Sequence, residues 1–435
     1  MEYLREKNRH KLQSADDAVK HVQSGNRVVV HGSAATPLVL TEALGKRAAE
    51  LIDVEIVNIS LYGDLKLNMD QYPNSFYINA LFVSANLRNI VNGERGDYVP
   101  VFLSEISQLF KGNYLPVDIV FIHCSLPDKN GFCSLGVSVD IIKSAALTGK
   151  FVIAQVNPKM PRTHGDSFIH SDVIDIMVEV EQDLPELRYA SNITETDLLI
   201  AKNCASLVED RATLQMGIGT IPDAVMKELH DRKDLGIHTE MFSDGILPLI
   251  QSGVITNAYK KKHRNKVVSS FAIGTRALYD FIDDNPMFEF LESEYVNSAE
   301  VIAKNPNVIA LNSAIEIDLT GQVCSDSIGS YQYSGVGGQM DFIRGASLSQ
   351  GGKPIIAMPS TTSKGESKIV PFLKQGAGVV TTRAHVHYVI TEYGIVNLFG
   401  KNLKQRAYAL IEIAHPVHRE MLEKEAFQRF GPRFH

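Results

Sequence analysis

The sequence predicts an α/β protein made of two related halves, each an open, mostly parallel sheet. Three observations predict it. Short β-branched runs alternate with stretches of helical period along the chain, the pattern of parallel strands joined by crossover helices. A strand, a small-residue turn and a proline-started helix occur twice, at 27–44 and 211–229. At 435 residues the chain has room for two or three cores.

The elements follow in order. Residues 15–24 read as a helix, 27–30 as a strand, 37–51 as a helix and 54–59 as a strand. Further strands are expected at 118–123, 152–156, 235–237, 267–272, 308–311, 354–358 and 386–391. Aligning Pro37 with Pro222 places Gly32 on Gly217 and Ala34 on Gly219. Each proline stands at a helix start, where its missing N–H leaves nothing unsatisfied. The boundary is placed near residue 190, between the acidic stretch 179–186 and a helix opening at Thr194. That gives domains 1–190 and 191–435.

Composition narrows the function. Apolar content of 44% and charged content of 21% are those of an ordinary globular protein. A net charge of -7 argues against a general nucleic-acid binder. The chain has no tryptophan, and aromatics do not interleave with basic residues as in single-strand binders. No run approaches the ~18 apolar residues of a membrane span. The four cysteines, Cys124, Cys133, Cys204 and Cys324, form no CxxC pair and read as buried, reduced thiols. The opening residues have no apolar segment of signal-peptide type, so a cytoplasmic location is expected.

Glu240 is the leading candidate for chemistry. It follows the apolar run 235–237 and precedes Ser243 and Asp244, good N-cap residues for a following helix. It therefore belongs at the carboxyl end of a strand, the edge where open α/β sheets gather ligands. Gln215-Met216-Gly217-Ile218-Gly219 is a glycine turn aimed at a helix N-terminus, suited to an anion or oxyanion. It is neither GxGxxG nor a Walker loop. Gly335, Gly337 and Gly338 form a second glycine-rich turn, with a surface hairpin as the alternative reading. Lys364 sits in a hydroxyl-rich loop after the strand 354–358. The pairs His385/His387 and His415/His418 lack a third ligand at zincin spacing, so no metal site is predicted. The first pair is expected on one strand face. The basic run 260–264 reads as a solvated turn.

The ordered set Gln215 to Pro222, His238 to Gly245, Ser334 to Ala346 and Thr391-Glu392-Tyr393-Gly394 resembles the acetyl-CoA hydrolase/transferase family. The likeness is to its 4-hydroxybutyrate and butyrate CoA-transferase branch and covers nearly the whole chain. The resemblance implies two α/β domains of the CoA-transferase type with the active site in the cleft between them. It implies Glu240 as nucleophile, and CoA contacts from Gln215, Met216, Gly217, Ile218, Gly219, Gly337, Gly338 and Lys364. His31 is similar to a family active-site histidine in the substrate pocket. Coenzyme A is expected as a substrate, with no tightly bound cofactor. Acyl-CoA and short-chain carboxylic acids are the expected partners, and a homo-oligomer the expected assembly.

The implied reaction exchanges CoA between a short-chain acyl-CoA and a carboxylic acid such as acetate. It is ping-pong, through a glutamyl-CoA thioester. A short-chain acyl-CoA hydrolase, in which water replaces the second acid, is the alternative. A ligand-sensing regulator would need no Glu240, and neither end carries a helix-turn-helix pattern.

Overall fold

The computed structural model describes residues 7–188 and 193–433. It divides into two compact units. Unit 1 is Met1–Leu187 with Val268–Val296, and unit 2 is Arg188–Val267 with Asn297–His435. The expected boundary at residue 190 lies outside the described residues. The chain crosses between units twice more, because Val268–Val296 groups with unit 1. The 191–435 span therefore does not form one uninterrupted unit.

Unit 1 contains a seven-stranded, all-parallel sheet. Its strands are β1 (Arg27–Val30), β2 (Val54–Asn58), β3 (Phe76–Ala80), β4 (Gly96–Tyr98), β5 (Ile119–Cys124), β6 (Phe151–Val156) and β7 (Ile176–Glu179), in the order β7-β6-β5-β1-β2-β3-β4. Parallel strands are covered on both faces and so read as continuous apolar runs. All six residues of β5 are buried. Val28, Ile56, Ile78, Phe121 and Ile153 meet in one core on this sheet with Leu40 and Leu44 of α1 (Leu38–Lys46). The strand order reverses direction between β1 and β5.

The helix expected at 15–24 is shorter. It runs as an α-helix over Ala15–Ala18 and tightens to a 3-10 turn at Val19–His21. The Val19 carbonyl accepts from the Val22 N–H, closing that 3-10 turn, and the Arg47 guanidinium caps the carbonyls of Val19 and Val22 where the helix ends.

Unit 2 contains a six-stranded sheet. Its strands are β8 (Thr213–Met216), β9 (Gly236–Ile237), β10 (Val308–Asn312), β11 (Lys353–Ala357), β12 (Tyr388–Thr391) and β13 (Gly394–Asn397), in the order β9-β8-β10-β11-β12-β13. Only β12–β13 is antiparallel. The reversal point lies between β8 and β10. Four helices matter to the site and its support. The first, α2 (Glu195–Ala205), opens on a capping box between Thr194 and Asp197. Then come α3 (Thr220–Glu228) after β8 and α4 (Gln339–Leu348) after the second glycine turn. Finally α5 (Leu403–Glu412) buries Leu410 and Ile411 against Ile356 and Val389.

The run 267–272 is not one strand. It forms Val267–Ser269 and Phe271–Ala272, and neither joins a large sheet. Ser270 breaks the run, its buried hydroxyl donating to the Leu291 carbonyl at 3.0 Å.

Candidate active site

Glu240 lies three residues past β9, on the turn at the carboxyl edge of the unit 2 sheet. Two flanking groups hold that turn. The Thr239 hydroxyl accepts from the Met216 N–H at 3.3 Å and lies 2.9 Å from both the Met216 and Met241 carbonyls. The Lys260 ammonium donates to the Ile237 carbonyl at 2.6 Å and to the Lys266 carbonyl at 2.7 Å. Lys260 is 3% exposed, so the run 260–264 is not wholly a solvated turn. Its first residue braces β9, because two carbonyls satisfy a buried ammonium that would otherwise be expensive to desolvate. Ser243 has the extended backbone of a cap residue but no capping hydrogen bond. Its hydroxyl instead donates to Asp223 at 3.2 Å, and burial raises the Asp223 pKa.

The Glu240 carboxylate is held from two directions. Asn297 Nδ2 donates to Glu240 Oε2 at 2.9 Å, and the Gly338 N–H donates to the same carboxylate. Asn297 is fully buried, and its Nδ2 also lies 3.3 Å from Asp341 Oδ2. Two carboxylate acceptors fix the amide with its NH2 side toward them. Gly338 is the residue before α4, so its N–H belongs to a helix N-terminus, a favourable place for an anion. Burial nevertheless dominates and pushes the Glu240 pKa up to about 7. The Asn297 hydrogen bond opposes the rise, the Asp341 charge adds to it, and the Gly338 N–H opposes it. The result is a carboxylate half-ionised near neutrality, more basic than a free one and poised as nucleophile or base.

The two glycine turns differ in what they face. A Cβ built on Gly217 or Gly219 meets nothing within 4 Å, so this turn borders open space. Gly219 has φ +122°, a conformation that needs glycine, and it precedes α3. At the other turn, a Cβ on Gly338 would fall on Glu240 Oε2 and Asn297 Nδ2. Gly338 is thus required by the carboxylate itself. Gly337 has φ +57°. Gln215 lies at the β8/β10 reversal point, where its Oε1 accepts from Asn312 Nδ2 at 3.0 Å.

Lys364 stands apart, exposed on the loop after β11. At the base of that loop the Ser360 N–H and hydroxyl both bind the Glu392 carboxylate, at 2.9 and 2.5 Å. Lys368, which the sequence reading passed over, is half-buried there. Burial pulls its pKa down to about 8, against the pull of Glu392. Asn297 and Asp341 were also missed.

His31 lies in unit 1, just past β1, and is fully buried. Its Nδ1 accepts from the His123 N–H at 3.1 Å, and its Nε2 faces the Ser138 carbonyl at 2.7 Å. That fixes the Nε2–H tautomer and engages both nitrogens. Burial lowers its pKa, with Asp140 opposing.

His385 lies in a turn, and the strand begins only at Tyr388, so His385 and His387 do not share a strand face. His387 packs against Phe399 instead, with ring centroids 4.2 Å apart and the planes tilted by 36°. His415 caps the helix Pro416–Phe430, and its ring centroid is 6.0 Å from that of His418. Among the described residues no group of three or more His, Cys, Asp or Glu side chains is arranged to hold a metal ion. All four cysteines are buried and free.

Comparison with known proteins gives the family. Residues 1–185 match the acetyl-CoA hydrolase/transferase N-terminal domain, and residues 274–426 match its C-terminal domain. The chain is 51% identical to the succinyl-CoA:acetate/propanoyl-CoA:succinate CoA transferase of Fasciola hepatica, over 96% of this chain and 87% of that one. This chain belongs to the acetyl-CoA hydrolase/transferase family. Another family member, the 4-hydroxybutyrate coenzyme A transferase of Clostridium kluyveri, is 50% identical over 97% of this chain and 98% of its own. The crystal structure of a 4-hydroxybutyrate CoA-transferase from Porphyromonas gingivalis superposes with a TM-score of 0.85. It is 37% identical, over 98% of this chain and all of that one.

Proposed function

We propose that the protein is an acyl-CoA:carboxylate CoA-transferase for short-chain acids, with Glu240 as nucleophile. The carrying observation is the Glu240 carboxylate, raised to about 7 and gripped by Asn297 and Gly338 at the carboxyl edge of the sheet. Relatives named as CoA transferases for succinyl, propanoyl and 4-hydroxybutyryl groups support the reaction class. 4-Hydroxybutyryl-CoA and butyryl-CoA with acetate are the first pairs to assay.

In the first step a Glu240 oxygen attacks the acyl-CoA carbonyl. The thioester C–S bond breaks, leaving a glutamyl–acyl anhydride and CoA thiolate. The thiolate then attacks the glutamyl carbonyl and expels the first carboxylate, leaving a glutamyl-CoA thioester. An incoming carboxylate reverses both steps, so one difficult exchange becomes a series of easier ones. The Gly338 N–H and Asn297 Nδ2, which now bind the Glu240 oxygens, are placed to bind the oxyanion on the glutamyl carbon. The open turn at Gly217 and Gly219, together with Gln215, Met216, Ile218, Gly337 and Lys364, is assigned to CoA contact.

An acyl-transfer panel tests the reading. Butyryl-CoA should be consumed quickly only when acetate is added, with acetyl-CoA formed mole for mole. Equal rates with and without acetate would replace this reading with the hydrolase.

A further inference from the structure

Asp341 is a buried carboxylate that the reaction above does not use. It lies in the first turn of α4, three residues after Gly338, and is 8% exposed. A helix N-terminus favours an acid, but this one shares its partner with another acid. Asn297 Nδ2 stands between Asp341 Oδ2, at 3.3 Å, and Glu240 Oε2, at 2.9 Å. The two carboxylate oxygens are therefore at most about 6 Å apart in a poorly hydrated pocket. Asn297 Oδ1 is buried and has no hydrogen-bond partner among the described residues, so the amide is oriented entirely through its NH2 group.

We propose that Asp341 is a positioning residue with two effects on Glu240: it locks the Asn297 amide in its donating orientation, and its charge drives Glu240 toward the covalent intermediate. The proposal rests on Glu240 being the nucleophile. The first effect is geometric. Without an acceptor at Asp341, the amide can turn over and present its oxygen to the Glu240 carboxylate. The second follows from charge balance. In the net half-reaction, Glu240 carboxylate plus acyl-CoA gives glutamyl-CoA thioester plus free carboxylate. The negative charge leaves the pocket, so repulsion from Asp341 is relieved when the thioester forms. Like charge raises the basicity of Glu240, and a more basic carboxylate is a better nucleophile and a worse leaving group. Among the groups that bear on Glu240 are Asp341 from α4, the Gly338 N–H at the start of that helix, and the neutral Asn297 from the chain preceding β10.

The test compares wild type, Asp341→Asn and Asp341→Glu. Each protein is mixed with butyryl-CoA and acetate at fixed ratio, quenched, and assayed by mass spectrometry for CoA on the peptide containing Glu240. The acid limb of kcat/KM is measured in parallel. Asp341→Asn is expected to lower the fraction of enzyme carrying CoA several-fold and to move the acid limb to lower pH. Asp341→Glu, which keeps the charge, is expected to hold the limb near its wild-type position. If Asp341→Asn is not recovered folded, Asp341→Ser reads the same two quantities. A wild-type thioester, with an unchanged fraction and limb in the uncharged variant, overturns this proposal alone. Absence of CoA from Glu240 in the wild type overturns the nucleophile assignment and this proposal with it.

Discussion

In unit 1, the turn after β1 lies at the point where the strand order reverses, and it is closed. Gly32 is tightly packed, since a Cβ there would sit 3.0 Å from the Ser60 carbonyl and 3.2 Å from Ile59 Cγ1. His31 beside it is buried with both ring nitrogens engaged. In unit 2, the aligned turn after β8 lies at the corresponding reversal, and it is open, with nothing within 4 Å of a Cβ on Gly217 or Gly219. The repeat thus reproduces a topology without reproducing a surface. What differs is the neighbour: the Ser60 carbonyl, from the turn after β2, crowds Gly32, and nothing stands in that place at Gly217. Glycine alone does not say which case holds.

The largest expected effect is at Glu240. Glu240→Gln keeps the shape and removes the attacking oxygen, so transfer should fall by about 10³-fold or more in a folded protein. A purified variant retaining a few per cent of wild-type turnover would remove Glu240 from the mechanism. Next is the pair Gly338→Ala and Gly217→Ala. The first puts a methyl on the Glu240 carboxylate and its Asn297 partner, and should cost about 10²–10³ in kcat. The second meets nothing, so kcat should hold and any loss should appear in KM for acyl-CoA. Equal losses in kcat would erase the distinction between the two turns.

The pH profile is a smaller effect. Transfer should fall as pH drops below about 7, because protonated Glu240 cannot attack. Stability moves the opposite way. The folded-state pKa, about 7, lies above the ordinary glutamate value of 4.5, so the folded form binds the proton more tightly. Ionisation then costs stability, by nothing below pH 4.5 and increasingly as pH rises through 7. Glu240→Gln should therefore be more stable than wild type at pH 8, by on the order of 1–3 kcal/mol in chemical denaturation. The advantage should vanish at pH 4. The smallest effect on catalysis is expected in unit 1. His31→Leu leaves the His123 N–H and the Ser138 carbonyl unsatisfied, and should lower stability by about 2 kcal/mol. An unchanged melting temperature with a raised KM would instead support the expected place of His31 in the substrate pocket.

Much of the scaffold was legible because parallel strands are buried on both faces, so β1, β5, β6 and β10 stand out as apolar runs. The place of Glu240 at a strand's carboxyl end was legible for the same reason. Its partners were not. Asn297 and Asp341 lie 57 and 101 residues further along the chain; no local pattern marks Asn297, and the glycine-rich stretch that contains Asp341 gives no sign that it faces Glu240. Asn297 is the residue at which the chain re-enters unit 2 after Val268–Val296, an excursion without compositional punctuation. Lys260 misled because it heads a run of charges, and only the fold supplies the two carbonyls that bury it.

The most direct test of the account traps the covalent intermediate. Enzyme mixed with acyl-CoA and no acceptor acid is treated with borohydride, which reduces a thioester and spares a carboxylate, and its peptides are mapped by mass spectrometry. The account predicts inactivation that requires acyl-CoA, is prevented by excess free carboxylic acid, and places the reduced residue at Glu240. It also predicts that three other glutamates stay unmodified: Glu105 at the end of the 3-10 turn Leu103–Glu105, Glu316 in the short strand Glu316–Asp318, and Glu392, which holds Ser360. Acyl-CoA-independent inactivation, or a lesion at any of those three, would contradict it.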